Sequence, residues 1–508
     1  MTDSKREIER KYEATVDTRL PDLNRVSGVA AVDHRGVMEL DAVYYDTEDH
    51  RLAADSLTLR RRTGGADAGW HLKFPVASGI RDEIRAPLSD TLPDSLAGLL
   101  RSRVREAELV PVVRLLSARD VHHLLDADGA LLAELSVDEV LAERLTGGSA
   151  TAAWTEIEVE LADDGDPAFL DAVERRLRKG GVRPSKAASK LARALDETAP
   201  EERRRPKGDG TPRLRTAGDH IMAYVREQIT AIIALDPAVR RDLPDSVHQM
   251  RVATRRLRSA FRTYRKILDR AVTGPIGGEL KWLAAELGVD RDQEVLDARF
   301  RTRIADLSRT LVLGPVHSRL RVWSTARSSG SRQRTIGVLD GERYLALLVS
   351  LDTFLADPPL LPAAARSPQD ALPRAVLKDY ARLATRIGHA MDLPAGRDRD
   401  LAMHDARKAA KRARYAGEAA VPALGRPAKK FAKRMKGVQS VLGDHQDSVV
   451  ARGALRVLAA QAHAAGESAF TWGLLYGQEE ADAAASEREL PEVWERASRP
   501  KLRAALTG

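Results

Sequence analysis

Alternating charge along the first candidate strands constrains this chain more than any other feature. In EIERKY (7–12) side chains alternate with a period of two. Glu7, Glu9 and Lys11 therefore share one face of a strand, and Ile8, Arg10 and Tyr12 share the other. TEIEVEL (155–161) sets Glu156, Glu158 and Glu160 against Ile157, Val159 and Leu161 in the same way. The inversion recurs in Arg81, Glu83 and Arg85, in Arg60 and Arg62, in His71 and Lys73, and in Glu134, Ser136 and Asp138. An ordinary half-exposed sheet explains any one of these strands. The set points elsewhere, because its polar faces hold few Thr, Ser or Asn and carry carboxylates and guanidinium groups in nearly matched numbers. A closed antiparallel barrel accommodates all of them, with a charged lumen and apolar outer faces under helices.

Such a lumen needs a ligand. Crowded glutamates repel one another unless a hard divalent cation sits among them, and oxygen donors suit Mg²⁺ or Mn²⁺. Confined Arg and Lys side chains want a polyanion, and guanidinium geometry suits phosphate bidentately. A metal ion with a phosphate chain satisfies both groups at once.

The β-rich pattern ends near residue 165, and two or three domains are expected in 508 residues. Residues 200–215 lie in a stretch rich in Pro, Gly and charge, the composition of a linker. Beyond it nearly everything follows a helical period. The expected fold class is α+β: a closed antiparallel β barrel with flanking helices over 1–199, then an all-α domain of two similar bundles over 216–505. The absence of cysteine excludes disulfides and thiolate metal sites. No window approaches the roughly 20 apolar residues of a membrane span, and the polar N-terminus is unlike a signal peptide. A cytoplasmic protein is expected.

The helical half repeats itself. VHQMRVATRRLR (247–258) aligns without gaps on MHDARKAAKRAR (403–414), and LGVDRD (287–292) follows at almost the same interval as LGDHQD (442–447). At about 100° per residue, His248, Arg251, Arg255, Arg258 and Arg262 form one stripe. The second copy supplies His404, Arg407, Lys411 and Arg414, with Glu418 where the first has Arg262. A third run places Arg426, Lys430 and Lys433 together. A solvated face is the usual explanation of a charge run. Like charges at i, i+4 are unfavourable without counter-ions, however, and the first stripe contains no acid, so it implies a bound polyanion. The two histidines by themselves are more simply packing or capping residues.

EIERK resembles the ExExK signature of the CYTH, or triphosphate tunnel metalloenzyme, superfamily. YYDT (44–47), LTLRRR (57–62), WHLKFP (70–75), EIEVEL (156–161) and SKLARAL (189–195) follow in the family's order. The resemblance implies an eight-stranded antiparallel β tunnel that hydrolyses a triphosphate with Mg²⁺ or Mn²⁺. It implies that Glu7, Glu9, Glu156 and Glu158 hold the metal, and that Lys11, Arg60, Arg62, Lys73, Arg85, Arg114 and Lys190 clamp phosphates. Glu7, Glu9 and Lys11 are the expected catalytic residues; Glu83 and Glu160 are possible further members, as is Arg119, whose face depends on whether VVRLLSAR (112–119) holds a bulge.

The helical half resembles the CHAD domain, which implies inorganic polyphosphate in a basic groove between two four-helix halves, and polyphosphate granules as one place where the protein would meet it. His248, Arg251, Arg255, Arg258 and Arg262 would line one half, and His404, Arg407, Lys411 and Arg414 the other, with Lys430 and Lys433 nearby. The mismatch of Asp290 with His445 marks an asymmetry between halves. The reading is therefore an inorganic triphosphatase with a polyphosphate-binding module. Alternatives are a thiamine or nucleoside triphosphatase, an adenylate cyclase, or a non-catalytic polyphosphate adaptor. No G-x-x-x-x-G-K-[ST] loop is present. Aromatic residues make up only 4% of the chain, which disfavours nucleic-acid binding.

Overall fold

Period-two alternation in the N-terminal half becomes a ring of antiparallel strands. The computed structural model describes residues 3–65, 67–199, 214–328 and 330–507, so the linker expected over 200–215 falls almost wholly outside the described residues. The chain divides into two units, Met1–Gly210 and Thr211–Gly508.

The strands of the first unit are β1 (Asp3–Ala14), β2 (Ala31–Asp46), β3 (Thr58–Thr63), β4 (Gly69–Ala77), β5 (Ile80–Pro87), β6 (Val110–Leu125), β7 (Leu131–Arg144) and β8 (Thr151–Leu161), followed by the two-residue β9 (Arg183–Pro184). They pair in the order β5-β4-β3-β2-β6-β7-β8-β1, and β1 pairs back onto β5 to close the ring. The expected eight-stranded tunnel is present, with β9 added beside β1.

Helices cover the apolar outer faces. Leu59, Leu72 and Ile84 pack under α2 (Asp94–Val104), which follows the short α1 (Arg51–Ala54). Tyr12, Leu135, Ile157 and Val159 pack under α3 (Ala168–Lys179). Towards one end the inward faces also turn apolar, and α4 (Lys190–Glu197) sets Leu191 and Ala194 against Tyr44, Leu115 and Trp154 there. Ser189 caps α4 by accepting a hydrogen bond from the Ala192 N–H at 3.0 Å, which fixes Lys190 as its first residue.

Closure depends on β1 changing partner halfway. Asp3 to Ile8 pair with β5, whereas Glu9 to Ala14 pair with β8. At the handover the Glu9 N–H donates to the carbonyl of Gly79, in the β4–β5 turn, at 2.9 Å. Gly79 has φ +72°, and a Cβ there would lie 2.7 Å from the Glu9 carbonyl oxygen. Gly79→Ala is therefore expected to destabilise the first unit by about 1–2 kcal/mol from the left-handed backbone alone, and further through the clash. A fall in thermal midpoint would confirm that this turn sets the seam; an unchanged midpoint would refute it.

The second unit begins with α5 (Ala217–Arg240), α6 (Ser246–Thr263), α7 (Arg270–Glu286), α8 (Gly288–Ala305), α9 (Val316–Ser328) and α10 (Ser331–Asp340). After α11 (Glu342–Ala356) come α12 (Pro368–Asp392), α13 (Arg397–Leu424), α14 (Arg426–Ala464), α15 (Phe470–Ala497) and the short α16 (Pro500–Ala504). The repeat read in the sequence places α6 on α13 and the start of α8 on the middle of the 39-residue α14, where the first half instead parts into α7 and α8 at Leu287. The two halves share one hydrophobic core, in which Leu257 and Phe261 of α6 join Ala413 and Ala416 of α13. Tyr264 donates to the Ala416 carbonyl at 2.9 Å, tying the central helices together. Among the described residues no helix is long and apolar enough to cross a membrane.

Candidate functional site: a charged tunnel and a basic groove

The tunnel encloses a cavity of about 310 Å³. Nine Lys and Arg side chains line it against seven carboxylates, and Tyr44 is its one aromatic residue. Of the residues read from sequence, Glu7, Glu9, Lys11, Arg60, Arg62, Lys73, Arg85, Glu158 and Lys190 all reach this cavity.

The handover in β1 sorts the carboxylates. Lys11 stands opposite Glu158 in the β1–β8 register, and its ammonium bridges Glu158 and Glu9, the latter at 3.2 Å. Glu7 lies on the β5 side, bonded by Lys73 at 2.5 Å, with Arg85 at 3.8 Å. The four glutamates expected around one metal thus do not form a single group. Glu156 and Glu158 converge instead with Asp138 of β7, their oxygens all within 4.8 Å of one another. Three carboxylates are a hard donor set of the kind that suits Mg²⁺ or Mn²⁺. Lys190 Nζ meets them at 2.9, 2.9 and 2.6 Å.

Arg119 and Arg114 exchange their expected places. The two arginines are five positions apart with regular pairing between them, so they take opposite faces, and the register shift between Tyr44 and Tyr45 falls at Val112, before both. Arg119 projects inward and donates to both oxygens of Asp138 at 2.7 and 2.8 Å and to Glu158 at 2.8 Å. Arg114 points outward and is held bidentately by Asp41 at 3.0 and 2.7 Å. Glu83 is fully buried behind the lumen, between His71 and Lys73. Glu160 sits one-third exposed, paired with Lys5 at 2.8 Å.

Burial and charge pull these groups apart. Burial raises the Glu7 carboxyl to about 7, despite Lys73. Burial pushes Glu158 the same way, yet Lys11, Lys190 and Arg119 hold it well below the usual range. Burial, together with the neighbouring Arg60 and Arg119 guanidinium groups, pushes Arg62 down. The lumen therefore keeps Glu158 charged while crowding cations that an anion would relieve.

Sequence reasoning left Asp138, Arg81, Lys5 and Tyr44 out of the site, although all four belong to it. Parity could have found Asp138, which shares a face with Glu134 and Ser136, and Arg81, which shares one with Glu83 and Arg85. Tyr44 accepts a 3.4 Å hydrogen bond from Arg60. Burial alone would raise its phenol, but Arg60, Lys190 and Lys73 bring it below its ordinary value.

In the helical unit, Arg255, Arg258, Arg262 and Lys411 line a cavity of about 420 Å³ with Arg382, Arg386, Lys408 and Arg412, and Asp405 is its one carboxylate. Arg255, Arg258 and Arg262 have no carboxylate partner among the described residues. A second cavity of about 430 Å³ shares Arg258, Arg262, Arg382 and Arg412 and adds Arg265, Arg270, Lys281 and Lys378. The basic surface is therefore continuous from α13 across α6 to α7. At the junction buried Asp379 accepts from Thr263 at 2.6 Å and pairs with Arg382 and Arg412 at 3.0 and 2.9 Å.

The rest of the expected stripe divides. A Cβ on Gly288 would lie 2.9 Å from Arg251, and one on Gly443 would lie 3.7 Å from Arg407. Gly288 thus packs closely on the Arg251 guanidinium, whereas Gly443 stands at ordinary contact distance from Arg407. His248 faces a different cavity with Asp245 and Glu294. His404 bonds Gln446 at 2.5 Å. Arg414 turns to Glu418 at 2.8 Å and Gln439 at 3.0 Å. Lys430 and Lys433 are exposed on α14, outside both basic cavities. The Asp290 side chain lies outside the described residues, whereas its counterpart His445 is fully buried between Asp400 and Glu487.

Comparison with known proteins agrees with this division. A CYTH domain family model matches residues 5–195, and a CHAD domain family model matches residues 223–456. Two uncharacterized proteins of Mycobacterium tuberculosis are each 38% identical over 501 residues, covering 95% of this chain and 94% of theirs. Among solved structures, PptA from Streptomyces chartreusis is 19% identical with a TM-score of 0.47, covering 55% of this chain and 99% of its own. The CHAD domain of the plant Ricinus communis is 22% identical with a TM-score of 0.40, covering 57% of this chain and 92% of its own. The chain belongs to the proteins that join an N-terminal CYTH domain to a C-terminal CHAD domain.

Proposed function

We propose that the tunnel hydrolyses inorganic triphosphate with Mg²⁺ or Mn²⁺, and that the helical domain binds inorganic polyphosphate. The proposed boundaries are 1–199 for the tunnel domain, 200–215 for the linker and 216–505 for the helical domain. One observation carries the reading: the tunnel lining offers nine cations and a single aromatic residue. An organic triphosphate would ask for a stacking platform, and Trp70 and Phe74 lie in the apolar core under α2. Buried metal-ligating carboxylates count against a purely binding role, since holding an anion does not require them.

Asp138, Glu156 and Glu158 would hold the divalent ion, which when bound neutralises phosphate charge and favours attack at phosphorus. Arg60, Arg62, Lys73, Arg85 and Arg119 orient the chain and stabilise charge that builds on the leaving diphosphate. Lys11 and Lys190 neutralise the carboxylates around them. Glu7 and Glu9 border the same lumen, where a carboxylate can take a proton from water. Water attacks the terminal phosphorus, the bridging P–O bond breaks, and orthophosphate and diphosphate leave.

The test is orthophosphate release from tripolyphosphate, ATP and thiamine triphosphate in Mg²⁺. Turnover of tripolyphosphate far above the other two supports the reading. Preference for either organic substrate would replace it. Polyphosphate binding without any turnover would make the protein an adaptor.

A further inference from the structure

Three side chains with metal-ligating atoms converge on the outside of the barrel, where β2 and β6 pair, away from the tunnel. His34 stands directly opposite His122, and Asp120 lies two residues before His122 on the same face. Their meeting depends on a β-bulge. The register shifts between His34 and Gly36, so Arg35 is the extra residue. Without it Arg35 would oppose His122, and His34 would fall on the other face opposite His123. Arg35 pairs with Asp33 at 3.0 Å, which occupies its charge away from the cluster.

Asp120 bridges the two imidazoles. One carboxylate oxygen lies 2.6 Å from His34 Nε2 and the other 3.3 Å from His122 Nε2. The rings stack with centroids 4.9 Å apart and planes 27° from parallel. All three donor atoms lie within 4.8 Å of one another. Bonds of about 2.0–2.1 Å in a tetrahedral site put neighbouring ligand atoms about 3.3 Å apart, so one ion fits this spacing with small side-chain movements. His34 is 58% exposed, which leaves room for water to complete the coordination.

We propose that His34, Asp120 and His122 bind one borderline divalent ion such as Zn²⁺. Two imidazoles and one carboxylate favour Zn²⁺, Co²⁺, Ni²⁺ or Cu²⁺ over Mg²⁺, whereas the all-carboxylate cluster in the tunnel has the opposite preference. The ion would tie β2 to β6 at the bulge and stabilise the barrel in proportion to its occupancy.

Co²⁺ serves as the spectroscopic probe for Zn²⁺, titrated into the full chain in excess Mg²⁺ so that the tunnel carboxylates are occupied. One equivalent should produce visible ligand-field bands that Zn²⁺ abolishes, and Zn²⁺ should raise the thermal midpoint. His34→Ala, on an exposed position, and His122→Ala should each lose both effects. Glu158→Gln should keep them, separating this site from the tunnel. Unchanged bands in both histidine variants, or no Co²⁺ bands and no Zn²⁺ shift in the wild type at sub-millimolar metal, would overturn the proposal.

Discussion

Alanine at Arg119 is expected to lower tripolyphosphate turnover by about 10²–10³-fold, the usual loss when one preorganised charge is removed from a water-poor site. Alanine at Arg114, on the same strand, should leave turnover within about twofold, as for a surface substitution. The contrast rests on strand parity: five positions apart in a regularly paired stretch of β6, the two side chains take opposite faces. Arg119 projects among Asp138 and Glu158 inside the tunnel, whereas Arg114 is half-exposed and held by Asp41 outside it. Arg119→Lys separates charge from geometry, because an ammonium keeps the charge and loses the bidentate hold on Asp138. Equal losses at 114 and 119 would show that parity along β6 does not set the lining.

Polyphosphate affinity should fall by about 10³-fold between 50 and 200 mM salt, because the first basic cavity alone presents eight cations to one carboxylate. It should also fall as pH rises through neutrality. Burial, with Arg407 and Arg255 beside it, pushes Lys411 down to about 7. A polyanion favours the charged ammonium, so binding takes up a proton above that pH and weakens as the proton becomes scarce. Below pH 7 the ammonium is already present and the dependence on this group vanishes. Lys411→Arg should keep affinity at pH 8.5, while Lys411→Met should be weak at every pH and lose the slope. Affinities from titration with polyphosphate at pH 6.5 and 8.5 decide it; a slope that survives in Lys411→Met would assign it to another group.

Much of the tunnel was legible in the sequence because a closed sheet keeps strand parity. Glu7, Glu9, Lys11 and Glu158 share a lumen since each lies on the charged face of its own strand. What parity could not supply was the pairing around the ring. The change of partner between Ile8 and Glu9 separates Glu7 from the metal-type cluster, and nothing local announces it. Asp138 fills the vacated role from β7, a strand whose charged face was visible but whose neighbour was not. Register was the second limit: the pairing of β6 with β2 and β7 decides which of Arg114 and Arg119 faces inward, and a bulge at Arg35 brings His34 to His122. In the helical domain the repeat was legible, and so was the stripe of Arg255, Arg258 and Arg262. Its partners Arg382 and Arg386 come from α12, where no charge run marks them.

Orthophosphate release from tripolyphosphate by the wild type and by Glu158→Gln, in the same Mg²⁺ buffer, tests the central claim most directly. Glu158 touches Lys11, Lys190 and Arg119 and belongs to the carboxylate cluster, so glutamine removes charge there with little change in volume. The account predicts Mg²⁺-dependent release by the wild type and a loss of about 10²-fold or more in the variant, with polyphosphate binding unchanged. Equal release by the two proteins would contradict it.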